Sequence, residues 1–165
     1  MLALRLYGPR DIRLEEIPVE GLGEFWDRHI RYLVDDGIIT DEEDVEYFTG
    51  REYRGILEDH MRRGTDRHHM VWFRRDGARI GAASYCTYQS EDGKCFILDF
   101  WVFPPFRGGG TGRRCFEALE RYTRARGARY YELNSEKEAS VRFWKSLGFT
   151  GNGEAEYGMP LLIRR

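Results

Sequence analysis

The stretch from Asp99 to Arg113 constrains the fold of this chain more than any other. Residues 95–103 form an almost unbroken apolar and aromatic run of strand length, in which Asp99 is the one charged side chain. Four glycines follow within residues 107–113, and residues 113–126 then repeat apolar positions at helical spacing. The pattern predicts a strand, a glycine turn and a helix in direct succession.

A junction of this kind can bind an anion. Glycines let a ligand approach the backbone closely, and the free N–H groups at a helix start favour negative charge. Arg107, Arg113 and Arg114 add positive charge around the same turn. In many strand-to-helix connections, however, glycines are needed only for the backbone geometry of the turn and bind no ligand. Taken by itself, the stretch leaves a phosphate site and a plain connection as alternatives.

Two motifs in this order resemble the GNAT superfamily of acyl-CoA-dependent N-acetyltransferases. Residues 107–112 fit R-x-x-G-x-G, and residues 140–149 resemble the A-x-x-F-Y-x-x-x-G-F signature. The resemblance implies an α/β fold in which a central, mostly antiparallel mixed sheet carries about four helices. Its fourth strand (residues 95–103) and fifth strand (residues 128–133) would be parallel and splayed apart. It also implies a single N-acetyltransferase domain over residues 1–165.

The resemblance further implies how acetyl-CoA is held. The wedge between the splayed strands would receive the pantetheine arm, and backbone N–H groups of the glycine turn would receive the pyrophosphate. Exposed backbone groups near Trp101 and Val102 would bind the arm and polarise the thioester carbonyl. The implied cofactor-binding residues are Trp101, Val102, Arg107, Gly108, Gly109, Gly110, Thr111, Gly112, Arg113, Asn134, Phe143 and Trp144.

Asp99 is the candidate catalytic base. An amine is protonated at neutral pH and must lose a proton before it attacks, and a charge within an apolar strand needs a partner or a purpose. A structural hydrogen bond or ion pair is the alternative interpretation. The family signature usually has a tyrosine that protonates the departing thiolate where this chain has Trp144, and an indole is not a useful acid. Tyr157 and Ser140 are candidate substitutes.

The resemblance implies direct transfer of an acetyl group from acetyl-CoA to a primary amine, with no metal, and the acidic composition of residues 35–59 favours a small cationic acceptor. Residues 35–59 hold ten acidic side chains against two arginines, which would attract a cation, although a solvated surface is the simpler interpretation. Acetylation of a protein or peptide amine stays open, as does a catalytically weak acyl-CoA-binding regulatory domain. A homodimer also stays open.

Charge and cysteine content narrow the class of protein. A net charge of −2, without a basic face that carries exposed aromatic residues, argues against nucleic acid as a partner. Cys86, Cys95 and Cys115 are odd in number and lie in apolar patterns, which favours reduced thiols. No apolar run approaches the roughly 20 residues of a membrane span, and charges interrupt each run after Met1. We therefore expect a cytoplasmic protein with no membrane partner.

The other elements follow from periodicity and turn residues. The histidines 68 and 69 are adjacent on a predicted strand and so point to opposite faces, which makes them a poor metal pair. The expected features are a first strand over 2–7 continued by 12–17, a helix over 22–34, capping boxes opening at Thr40 and Ser135, a tight turn at 75–77, and a closing hairpin turning at 151–153.

Overall fold

The computed structural model describes residues 12–156 and 158–165, within which seven strands form one sheet. The strands are β1 (Arg13–Glu16), β2 (His68–Arg75), β3 (Ala78–Thr87), β4 (Lys94–Val102), β5 (Tyr130–Asn134), β6 (Thr150–Glu156) and β7 (Met159–Arg164). Their order in the sheet is β1-β2-β3-β4-β5-β7-β6. Only β4 and β5 are parallel neighbours among these strands, which confirms the predicted mixed sheet.

Five α-helices cover the two faces of the described sheet. They are α1 (Gly23–Asp35), α2 (Glu42–Thr49), α3 (Arg51–Met61), α4 (Thr111–Arg124) and α5 (Glu138–Ser146). Phe25, Trp26 and Leu57 of α1 and α3 pack on one face. Phe116 and Trp144 of α4 and α5 pack on the other. None of the described helices combines the length and apolar composition needed to cross a bilayer.

The hairpin from β2 to β3 forms where the turn residues predicted it. Asp76 and Gly77 both have positive φ, at +52° and +78°. Two such residues in succession match the right-handed twist of the strands that they join. The hairpin places Ser84 in the centre of the sheet, where it is the register partner of Met70 on one side and of Asp99 on the other.

The two predicted capping boxes are corrected by the structure. Helix α2 begins one residue later than expected, and its cap is Asp41, whose carboxylate accepts a 2.8 Å hydrogen bond from Asp44 N. Helix α5 begins at Glu138 after Lys137, which makes no side-chain cap hydrogen bond. Ser135 stands too early because its backbone continues β5 and donates to the Pro160 carbonyl. Pairing of the Ser135 backbone with β7 therefore prevents Ser135 from capping α5, although its sequence position favours a cap.

The closing hairpin also turns at a different place. Residues 151–153, expected as the turn, lie within β6, where the register with β7 shifts between Gly151 and Ala155. The chain reverses between Glu156 and Met159, which are register partners. The glycines therefore create an irregularity within a strand. The predicted strand at residues 2–7 and the candidate acid Tyr157 lie outside the described residues.

The three cysteines are free and buried in the core, as predicted. Burial raises the pKa of the thiols of Cys95 and Cys115 to about 12 each. A thiol with so high a pKa is neutral and poorly nucleophilic at neutral pH. These residues contribute packing to the fold.

Candidate active site

Three consecutive glycines turn the chain between β4 and α4. Gly108, Gly109 and Gly110 have φ values of +94°, +62° and +79°, a region that strains any residue with a side chain. A Cβ atom placed on Gly108 or Gly109 would meet no atom within 4 Å. The outer surface of the turn is therefore bare backbone facing open space beside the first turn of α4. This arrangement suits an anion.

Arg114 adds an unsatisfied donor above this turn. Its Nη1 atom lies 3.5 Å from the position that a Cβ on Gly110 would take, so the guanidinium folds back over the glycines. Its Nε atom is buried and has no hydrogen-bond partner among the described residues. Arg113, by contrast, donates to the Ser146 carbonyl at 3.1 Å and so braces α4 against α5. Of these two arginines, the one that lies over the glycines is Arg114, whose Nε–H has no hydrogen-bond partner among the described residues.

Arg107 links the glycine turn to helix α1. Its Nε donates to the Val102 carbonyl at 2.8 Å. Its two Nη atoms lie 3.3 and 3.0 Å from the two carboxylate oxygens of Asp36, in the bidentate geometry typical of arginine and carboxylate. The Arg107 side chain therefore holds together the two segments that border the site.

Next to this turn, β4 and β5 separate, which confirms the predicted splay. Their parallel pairing runs only from Lys94 opposite Tyr130 to Phe96 opposite Glu132. A bulge follows in β4, because Ser84 pairs with Asp99 while Tyr85 pairs with Ile97, which leaves Leu98 as the extra residue. Beyond the bulge, β4 continues without β5 as a neighbour.

The backbone of β4 after the bulge can bind a ligand in this gap. Phe103 donates its N–H to the Ile80 carbonyl of β3 at 2.8 Å. Because hydrogen-bonding direction alternates along a strand, Trp101 turns its own N–H and C=O toward β3, and Phe100 and Val102 turn theirs toward the gap. The Val102 carbonyl already accepts from Arg107, so the backbone groups left for a ligand are the Val102 N–H and both groups of Phe100. Phe100 is thus a residue of the site that the sequence analysis missed. Strand alternation could have identified it once the neighbour of β4 was known.

The opposite wall of the gap comes from the end of β5 and from α5. Asn134 is the last residue of β5, and its buried Nδ2 atom has no partner among the described residues. The ring of Phe143 lies against Gly112, whose Cβ, if present, would stand 3.0 Å from the Phe143 Cε2 atom. Trp144 is buried in an aromatic cluster with Phe100, Phe116, Phe143 and Phe149. Ser140, at the start of α5, accepts a 2.9 Å hydrogen bond from the Ser135 hydroxyl.

On the other face of β4, Asp99 is paired with a buried histidine. The Oδ1 atom of Asp99 lies 3.2 Å from Nε2 of His29 on α1. The side chain of Asp99 is 11% exposed and that of His29 is fully buried. The Nδ1 atom of His29 has no hydrogen-bond partner among the described residues. Asp99 therefore has both a structural partner and a route to solvent.

His29 is the second residue that the sequence analysis missed. It lies four residues after Phe25 and three after Trp26, on the apolar stripe of α1. A polar residue on an apolar stripe is the sequence signal that could have identified it. The ring of Phe25 is nearly parallel to the imidazole at 5.8 Å, and so is that of Tyr53 at 6.1 Å. The rings of Trp26, Phe48 and Trp101 contact it at larger angles. These contacts hold the imidazole in one orientation toward Asp99.

A second buried histidine lies on the same face of the sheet. Nε2 of His68 is 2.6 Å from the Ser84 hydroxyl, and Ser84 is the register partner of Asp99. Burial lowers the pKa of His68 to about 4, although the nearby Asp99 carboxylate opposes the shift. His68 is therefore neutral at neutral pH. The described residues hold no group of three or more His, Cys, Asp or Glu side chains that could bind a metal ion.

Comparison with known proteins identifies the family. The model of the acetyltransferase (GNAT) family matches residues 34–149. The chain belongs to the GNAT acetyltransferase family. It is therefore an N-acetyltransferase, and acetyl-CoA is the co-substrate of this class of enzyme. No curated protein sequence matches the chain.

Solved structures share the fold of this GNAT protein at low sequence identity. The PaiA N-acetyltransferase from Thermoplasma acidophilum, solved with coenzyme A, has a TM-score of 0.70 at 15% identity, covering 94% of this chain and 99% of that one. An acetyltransferase from Salmonella typhimurium that modifies the N-terminal serine of ribosomal protein L7/L12 has a TM-score of 0.64 at 17% identity, covering 94% and 96%. An aminoglycoside acetyltransferase from an uncultured soil metagenomic sample, in complex with sisomicin, has a TM-score of 0.59 at 14% identity, covering 93% and 95%.

The residues around the gap fit acetyl-CoA. Open backbone at Gly108 and Gly109 suits a pyrophosphate, and the vacant Nε of Arg114 offers a further donor. The vacant Nδ2 of Asn134 lies at the end of β5, where an amide-bearing arm would need a donor. Phe100 and the Val102 N–H add free backbone groups on the β4 side of the gap.

Proposed function

We propose that this protein acetylates the primary amine of a small molecule by direct transfer from acetyl-CoA, with Asp99 as the base. One observation carries the proposal. Asp99 follows the bulge in the stretch of β4 that has no pairing with β5, and its carboxylate lies on the face covered by α1 and α3, which supports a position close to the acyl donor. Its partial exposure leaves it accessible to an incoming amine.

Each residue has a separate part in the transfer. Bound acetyl-CoA supplies an acetyl thioester, whose C–S bond is exchanged for a C–N bond to the acceptor. Asp99 takes the proton that the ammonium must lose before it can attack. The nitrogen loses a second proton after the attack, and water carries this proton to the departing thiolate. His29 holds the Asp99 carboxylate in place through the 3.2 Å contact. The Phe100 backbone and the Val102 N–H, which face the gap, orient the donor, and their N–H groups stabilise negative charge on the carbonyl oxygen.

The role of the leaving-group acid remains with water or with a residue other than Trp144. The Trp144 side chain is buried in the aromatic cluster beneath the gap, so it supports Phe143 and Phe100 by packing. A thiol with an ordinary pKa of roughly 8.5 to 9 leaves as a thiolate at neutral pH without a dedicated acid. Direct transfer is therefore compatible with tryptophan at this position.

Two measurements test the proposal in sequence. A thermal-shift titration with acetyl-CoA, coenzyme A and dephospho-coenzyme A should raise the melting temperature, because each ligand binds only the folded state. Thiol release with amine acceptors should then fall about 100-fold or more in Asp99→Asn, in the range typical of a lost general base. The same variant should keep the thermal shift with acetyl-CoA. A full rate at every pH in Asp99→Asn would exclude the base role.

A further inference from the structure

Five aromatic side chains surround the Asp99–His29 pair, and we call them the aromatic enclosure: Trp26, Tyr32, Phe48, Tyr53 and Trp101. The first four come from α1, α2 and α3, and the last from β4. Four of the rings contact His29 with centroid distances between 5.7 and 6.4 Å. The fifth, Tyr32, stacks on Trp101 at 4.7 Å and 5°.

The negative charge of Asp99 affects the pKa of the two tyrosine hydroxyl groups in the enclosure. Burial raises the pKa of Tyr32 and of Tyr53, and the Asp99 carboxylate raises both further. Tyr32, Tyr53 and Phe48 are partly exposed, and the Asp99 side chain keeps 11% of its surface open, so the enclosure offers ring surface and a small part of a carboxylate to an entering ligand. A cation that reached Asp99 would lie among ring faces and edges.

Most acidic side chains around α2 and α3 are exposed to solvent or have other partners. Asp41, Glu42, Glu43, Glu46 and Glu52 are exposed to solvent. The carboxylates nearest the site have other partners, since Asp36 is bound by Arg107 and Glu58 accepts a 3.4 Å hydrogen bond from the Trp26 indole. Exposed carboxylates are screened by water and salt, and they attract a bound charge only weakly.

We propose that the acceptor is a monoamine carried on an apolar or aromatic body. This inference rests on the proposed acetyl transfer and names its acceptor class. The ammonium pairs with Asp99 and gains from the surrounding ring faces, while the body packs against Phe48 and Tyr53. A second ammonium on the same molecule would enter aromatic surroundings without a carboxylate partner, at a cost in desolvation. The enclosure therefore selects against polyamines, which the acidic composition of this region had favoured.

Three amines separate the two parts of this inference. Isothermal titration calorimetry on the protein saturated with coenzyme A compares n-butylamine, 1,4-diaminobutane and 2-phenylethylamine. The first two differ only by the second charge, and n-butylamine should bind about tenfold more tightly because the second ammonium lacks a partner. 2-Phenylethylamine should bind about tenfold more tightly than n-butylamine because the ring adds buried apolar surface and aromatic contacts.

Variants locate the effect in the enclosure. Phe48→Leu and Tyr53→Leu remove a ring but keep an apolar side chain, so each should weaken 2-phenylethylamine about fivefold and n-butylamine less than twofold. Ile56→Ala on α3 is the matched control, because that side chain is 49% exposed and should leave both affinities unchanged. Melting temperatures identify any variant that fails to fold, and the two leucine variants test the same contact independently.

The outcomes distinguish this inference from the proposed function. Equal or tighter binding of 1,4-diaminobutane, equal binding of 2-phenylethylamine and n-butylamine, or no binding of any of the three amines would overturn the acceptor class. Thiol release is measured separately with acetyl-CoA and the same amines. The expected order of binding without any thiol release would refute acetyl transfer to these acceptors while supporting the enclosure as a monoamine site.

Discussion

The two sides of the site are built in different ways. On the proposed donor side, the surface is formed mostly by backbone. It consists of three glycines with positive φ, a strand bulge and a stretch of β4 that is not paired with β5. On the proposed acceptor side, the surface consists of side chains from α1, α2, α3 and β4 that pack around His29, the partner of Asp99. The donor side therefore suits a ligand that every member of a family shares, and the acceptor side can change its ligand by single substitutions.

The largest effect that we expect is a pH dependence of folding stability to which a buried histidine on the acceptor face contributes. The pKa of His68 is about 4 in the folded protein and about 6.5 in the unfolded chain. The unfolded chain therefore binds more protons between these two pH values. Stability is therefore lost as pH falls through this window, by about 3 kcal/mol between pH 7 and pH 4. Urea unfolding of His68→Gln should show a correspondingly shallower decline than the parent protein. Identical declines would remove His68 from the explanation.

The next effect concerns His29 as a positioning residue. His29→Gln should lower kcat roughly 30-fold, because a mobile Asp99 carboxylate is less often aligned with the amine. The pH–rate profile should change at the same time, because the substitution replaces the imidazole that lies 3.2 Å from the Asp99 carboxylate. Arg31→Gln, an exposed position on the same helix, is the control. An unchanged profile with a reduced melting temperature would instead indicate that His29 only supports packing.

A smaller effect is expected on the donor side. Gly109→Ala forces a side chain into the left-handed region at φ +62° and covers open backbone, so the affinity for coenzyme A should fall about fivefold. Gly64→Ala introduces the same methyl group at a position with no atom within 4 Å and without positive φ, and its affinity should match the parent. If both variants bind coenzyme A equally well, the bare glycine turn is not the phosphate site.

The smallest effect tests the connection between the two sides. Arg107 and Asp36 are each partly exposed, and such a pair contributes about 1 kcal/mol or less. Asp36→Asn should therefore change the coenzyme A affinity and the acceptor KM together, each by about two- to threefold. Calorimetry and steady-state kinetics measure the two quantities. A change in only one of them would show that Arg107 does not couple the sides.

The donor side was open to prediction because its signals are local. The glycine motif, the apolar strand before it and the amphipathic helix after it lie within about 30 consecutive residues, and the structure contains all three. The parallel pairing of β4 and β5 follows from the helix that connects them. The failed predictions were also local ones: Ser135 and the glycines at 151–153 carry capping and turn signals that strand pairing with β7 overrides.

Sequence alone was sufficient for the order of the strands and helices around the glycine turn, the free cysteines and the family, because each depends on residues close together in the chain. It was not sufficient for the acceptor site. His29 and Asp99 are 70 residues apart, and Phe48 and Tyr53 join them only because α2 and α3 meet at Gly50. Which side chains meet over a carboxylate is decided by packing of whole elements on the sheet, where many small contacts combine and no single pattern in the sequence records the result.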